Sequence, residues 1–103
     1  MMVMWFYGNA LSEFPELATY YVQMGLTENL QRWFQLFKED MDEAGELLLW
    51  ITGDLAFHKL IRVGDLHKVM PIINSHLRSE EKHFTLESVV IIGQLIEVFE
   101  ENE

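Results

Sequence analysis

The sequence predicts a compact all-α domain of six or seven short helices, with residues 1–103 forming one unit. Three observations carry that expectation. Apolar side chains recur at offsets of three, four and seven. Gly, Pro and small polar residues interrupt the chain at short intervals, and runs of alternating polarity are few. Half of the 103 residues are hydrophobic and thirteen are aromatic, enough to bury a core and too apolar a mix for disorder.

The elements follow in order. An apolar start, Met1 to Tyr7, gives way at Gly8-Asn9. Pro15, whose fixed φ suits the first helical position, opens a helix to about Met24, with Glu16 in its first turn and Gly25 as its stop. Thr27 is placed to cap the next helix, along which Leu30, Trp33, Phe34, Phe37 and Met41 recur at offsets of three, four, seven and eleven. Gly45 separates it from Leu47–Ile51, which reads as a buried helix or a short central strand. The alternative architecture is therefore α+β, with residues 3–7 and 47–52 paired as a two-strand element.

Asp54 is expected to cap a short helix carrying Leu55, Leu60 and Ile61, ended by Gly64. Asp65 then caps Leu66 to Leu77, where Pro71 lacks an N–H and should break or kink the helix near Met70. After the polar connector Ser79-Glu80-Glu81-Lys82, Thr85 opens the last helix. Its Leu86, Val89, Val90, Ile92, Gly93, Ile96 and Phe99 exceed what one stripe needs. That surplus predicts a centrally packed helix with Glu87, Gln94, Glu97, Glu100 and Glu101 at its exposed edge and end. The expected core is Leu30, Trp33, Phe34, Phe37, Leu48, Trp50, Ile61, Val89, Ile92, Ile96 and Phe99.

Charge is distributed in blocks, for a net −10. Met1 to Phe57 holds nine carboxylates against Arg32 and Lys38. His58 to Leu86 holds five Lys or Arg against Asp65, Glu80 and Glu81, and Glu87 onward holds five glutamates and no cation. Such a field repels nucleic acid and anionic membrane and steers a cationic partner inward. The chain has no cysteine, hence no disulfide framework or thiolate metal site, which suits a reducing compartment. The N-terminal apolar run lacks a basic flank and is too short for a signal core or a membrane span. A soluble cytoplasmic protein is expected.

Four constellations invite a chemical reading. Glu39, Asp40, Asp42, Glu43 and Glu46 place four carboxylates on one helix face, either a solvated face or a site for the Lys and Arg side chains of a partner. No calcium-loop pattern accompanies them. His58, His67 and His76 stand nine residues apart and His83 seven further on, so neighbouring histidines fall on opposite helix faces. They read as surface or capping residues rather than metal ligands. No nucleophile elbow or phosphate loop surrounds any Gly, so no catalytic set and no cofactor is assigned. Among the aromatics, Trp33, Phe34 and Phe37 read as core. Tyr20 and Tyr21 cannot both face inward, so one of them is a candidate interface anchor; Trp5 and Tyr7 are further candidates, against docking of the N-terminal segment into the core.

Leu11-Ser12-Glu13-Phe14-Pro15-Glu16-Leu17, then Tyr20-Tyr21 and Asn29-Leu30-Gln31-Arg32-Trp33-Phe34, together with small size and acidity, resembles bacterial toxin-immunity proteins of the contact-dependent growth inhibition type. In these a Phe-Pro-x-Leu segment precedes an aromatic-rich helix. The resemblance spans about a quarter of the chain, and the Gly-Gly and His-Gln-Asp-Trp elements of one such group are absent. It implies a cytoplasmic, non-enzymatic neutraliser of a delivered toxin, often a nuclease whose basic active site is covered by an acidic surface. Glu39, Asp40, Asp42, Glu43, Glu46, Tyr20 and Tyr21 are the candidate partner-binding residues. The alternatives are a nucleic-acid mimic that inhibits a DNA-binding enzyme and a small ligand-binding helical domain.

Overall fold

Six α-helices and two 3₁₀ turns make up the described residues, with no strand among them. The computed structural model describes residues 2–37 and 42–101, and side chains for 4–14, 16–37 and 44–100. Helix α1 spans Met2–Glu13. A 3₁₀ turn at Pro15–Leu17 leads into α2, Ala18–Gln23; α3 is Leu26–Phe37 and α4 is Asp42–Phe57. A second 3₁₀ turn, Val63–Asp65, precedes α5, Leu66–Leu77, and α6 is Lys82–Glu101. The all-α expectation holds, and the two-strand alternative does not. Residues 3–7 and 47–52 do belong side by side, but as parts of α1 and α4 packed along each other.

The helix at the centre is α4, not α6. It packs against α1, α3, α5 and α6, because small and apolar residues cover most of its circumference. Ala44, Leu48, Leu49, Ile51, Leu55 and Ala56 are almost fully buried. At about 1.5–3 kcal/mol for each large side chain, this one helix supplies a major share of the hydrophobic stabilisation. Thr52 is buried too, its hydroxyl donating to the Leu48 carbonyl at 2.7 Å, so no polar cost is left behind.

Residues that punctuate a helix in water do not stop α4. Gly45 is buried within it, and Gly53 and Asp54 lie inside it as well. Tertiary packing outweighs the roughly 1 kcal/mol propensity cost of a helical glycine. The actual stop is at Lys59, whose φ of 59° is left-handed. The Leu60 N–H bonds the Leu55 carbonyl and the Lys59 N–H bonds that of Ala56, with Leu60 tucked against the core. This is a Schellman closure built without glycine.

Gly25 does act as expected. With φ 97° it ends α2, and its carbonyl accepts the Asn29 N–H, so one residue closes α2 and opens α3. Thr27 is consequently inside α3 and buried, not its cap. Asp65 precedes α5, but its carboxylate bonds Lys68 instead of a backbone N–H. Pro71 lies within α5, which runs unbroken from Leu66 to Leu77. The N–H it lacks leaves only the carbonyl of exposed His67, in the first turn, without its helical donor. At the start of α6 the Ser79 hydroxyl accepts the Glu81 N–H, so the helix begins at Lys82, ahead of Thr85.

The core corresponds to the expected list at Leu30, Leu48 and Ile61, fully buried, and at Trp33, Phe34, Phe37, Ile92 and Phe99, packed partly buried around it. Trp50 is half-buried. Val89 and Ile96 depart from it, at 55% and 51% exposed. Only Ser88, Ile91, Leu95 and Val98 of α6 are buried, so the helix lies at the surface with one apolar stripe inward and another bare. No helix among the described residues is long and apolar enough to cross a membrane.

Candidate functional site

Leu86 and Val90, on the exposed side of α6, belong to one wall of an apolar groove that Val89 and Ile96 do not line. Helix α4 lies between α1 and α6, and all three run in the same direction: Gly8 meets Trp50 and Ser12 meets Asp54, while Glu46 shares a cleft with Phe84 and Gly53 meets Ile91. On the outward side of α4, Glu46, Trp50, Gly53, Asp54 and Phe57 follow at offsets of four, seven, eight and eleven, one face of a helix. They form the floor of a groove of about 800 Å³, walled by Trp5 from α1 and by Leu86, Glu87, Val90, Ile91 and Gln94 from α6. Trp5 is 61% exposed and Phe57 67%, with Leu86 and Val90 similarly bare. Exposed apolar surface gathered in this way marks an interaction site far more often than scattered residues do.

Local sequence explains how the floor is shaped. A Cβ at Gly8 would stand 2.5 Å from the Trp50 ring, so glycine at that position lets α1 and the indole close on each other. At Gly53 the nearest atom is Cδ1 of Ile91, 3.5 Å from where a Cβ would be, which keeps the floor low between the walls. Across the groove floor the Ser12 hydroxyl donates to Asp54 Oδ2 at 3.3 Å and ties α1 to α4.

The electrostatics have one sign. Glu46, Asp54 and Glu87 line the groove, and among the described residues no Lys or Arg does. Burial raises the Asp54 carboxyl above its ordinary range, while the Ser12 hydrogen bond and nearby His58 pull in the opposite direction. Asp54 is thus a partly desolvated carboxylate with no Lys or Arg beside it in the groove among the described residues, on a chain of net charge −10.

At Glu46 the groove meets a second, more polar cleft of about 540 Å³, lined also by Ser75, His76, Ser79, Glu81, His83 and Phe84. His76 is not a surface or capping histidine: it is 4% exposed, with Nδ1 donating to the Ile72 carbonyl at 2.8 Å and its ring edge against Phe84. Ser75 donates to the same carbonyl, 3.0 Å away. The two side chains share that acceptor and stand 3.4 Å apart, Ser75 Oγ to His76 Nδ1, with the Nδ1 proton directed to the Ile72 carbonyl. Among the described residues, no three His, Asp or Glu side chains converge as metal ligands would.

Of the candidate residues named from sequence, Glu46, Tyr20 and Tyr21 have described side chains. Glu39 and Asp40 lie outside the described residues; Asp42 and Glu43 open α4, and their side chains lie outside them too. Glu46 is exposed and lines both cavities. Tyr20 is 62% exposed on α2, while Tyr21 is half-buried and stacks edge-on against Tyr7, which also meets Trp33. Neither tyrosine lines the groove with Glu46. Trp5, on the opposite side of α1 from that cluster, does. Sequence reasoning missed Trp50, Asp54 and Phe57 as site residues. Their signal was the spacing from Glu46, visible once α4 is read as a single helix.

No family model, curated protein or solved structure matches the chain.

Proposed function

We propose that this protein is a non-enzymatic binding module that captures and neutralises a cationic protein, of the kind a toxin-immunity protein performs in the cytoplasm. The observation that supports it is the apolar groove lined by Glu46, Asp54 and Glu87 and, among the described residues, by no Lys or Arg. Apolar contact supplies affinity there, and the surrounding field supplies steering and discrimination against acidic partners. The glutamates of α6 extend that field. The resemblance in residues 11–34 favours a toxin, a nuclease for example, as the partner, with no cofactor or metal required.

The test is co-production with the product of the neighbouring gene, measured as rescue of growth, followed by titration calorimetry of the purified pair at low and high salt. Rescue with salt-weakened binding is the expected result. A pair that neither rescues nor binds overturns the reading. Competition by DNA for the same partner identifies the protein as a nucleic-acid mimic instead.

A further inference from the structure

We infer that the groove between α1 and α6 receives one amphipathic helix of the partner, about three turns long, whose apolar stripe is flanked by Lys or Arg. The inference rests on the reading that the partner is a cationic protein. From Glu46 to Phe57 the floor follows eleven residues of α4, about 16 Å at 1.5 Å per residue. The walls are themselves helices running alongside, so an occupant of helical width lies between them as one more member of the bundle. Its apolar side rests on Trp50 and Phe57, between Trp5 and Val90.

Charge complementarity selects the occupant. Glu46 and Asp54 stand eight residues apart on one face of α4, about 12 Å along its axis. Glu87 lines the groove from the α6 wall. Two cations eight residues apart on the docked helix therefore fall within reach of both floor carboxylates. Asp54, already stripped of part of its water and held by Ser12, makes the closer contact because little further desolvation is needed. A second copy of this chain is disfavoured by the same charges, since groove against groove sets these carboxylates opposite themselves.

The probe is a synthetic helical peptide of about sixteen residues, long enough to hold a helix when bound. It carries Leu at i, i+3, i+4 and i+7 and Lys eight positions apart beside that stripe. A second peptide has Glu in place of each Lys. Trp5 and Trp50 both line the groove, whereas Trp33 stacks on Tyr7 elsewhere, so intrinsic fluorescence reports occupancy. We expect a saturable blue shift with the basic peptide and none with the acidic one. Val90→Asp and Leu86→Asp, both at exposed positions, should each weaken the basic peptide at least about tenfold with circular dichroism and Tm unchanged, and Asp54→Asn by up to about tenfold. Equal binding of both peptides, or undiminished binding to both wall variants, overturns the inference. So does a dimer in sedimentation that V90D disperses, because the occupant is then a second copy. A natural cationic partner that binds V90D as tightly as the wild type overturns the groove assignment and leaves the proposed function standing. A protein that takes the peptide but neutralises no toxin overturns the function and leaves the groove.

Discussion

Helices α3 and α6 each turn one apolar stripe to the core, and their outer faces differ sharply. Glu28, Arg32 and Gln35 cover the outside of α3, with Leu36 the one large apolar exception. Its start is tied to α5 by Lys68, which contacts Glu28 at 2.6 Å and Asp65 at 2.9 Å. On α6 the corresponding positions are Leu86, Val89, Val90 and Ile96. The outside of α3 is almost wholly polar, whereas α6 sets four large apolar side chains among its exposed glutamates. Local stability does not require the second stripe, so its existence is better explained by something that covers it.

The largest effect that sharpens this contrast is Leu48→Ala, which should cost about 2–5 kcal/mol in a urea melt because the side chain is fully buried. Val90→Ala should stay within about 0.5 kcal/mol. Equal costs would show that the outer face of α6 is packed in solution and break the comparison.

Gly8→Ala comes next. The added methyl meets the Trp50 ring, which must move toward the groove, at about 1–3 kcal/mol with a shift in tryptophan emission. Loss of stability without any spectral change would mean that the backbone, not the indole, gives way.

Asp54→Asn has a smaller effect, with a defined sign. The folded carboxyl binds its proton more readily than the unfolded one, whose ordinary value is 3.8. Its contribution therefore favours folding in acid and is lost as pH rises from 3.8 through the raised folded value. The variant should be slightly more stable than wild type at neutral pH, with the gain disappearing below 3.8. A constant difference across that range would remove the desolvation argument.

Lys68→Ala should produce the smallest change, a modest loss of stability that shrinks further in salt. Its direct readout is the Glu28 carboxyl, which the Lys68 hydrogen bond now holds low and which should return toward 4.5 in an NMR titration. A Glu28 that does not move would mean the pair is not formed in solution.

Legibility in the sequence follows from what each residue faces. Helix α3 could be read directly because one side is wet, so polarity and period agree. Gly45 and Asp54 predict interruptions in α4 because glycine and aspartate favour helix ends in water, whereas here Gly45 is buried and Asp54 is turned toward Ser12. The apolar surplus of α6 is plain in the sequence but not its position, since hydrophobicity records a preference for cover without saying what provides it. The groove was illegible for both reasons together. Its floor depends on α4 being continuous, and its wall depends on α6 being peripheral.

The tie between Ser12 and Asp54 joins residues 42 positions apart, and the buried side of α1 (Met4, Gly8, Leu11) has α4 as its main neighbour. On the ribosome, α1 therefore emerges long before the helix that shelters it. Two further helices must be synthesised while Met4, Gly8 and Leu11 remain without their native cover. The chain is open to chaperones, proteases and self-association in the interval before α4 docks on α1, and α5 and α6 then complete the core.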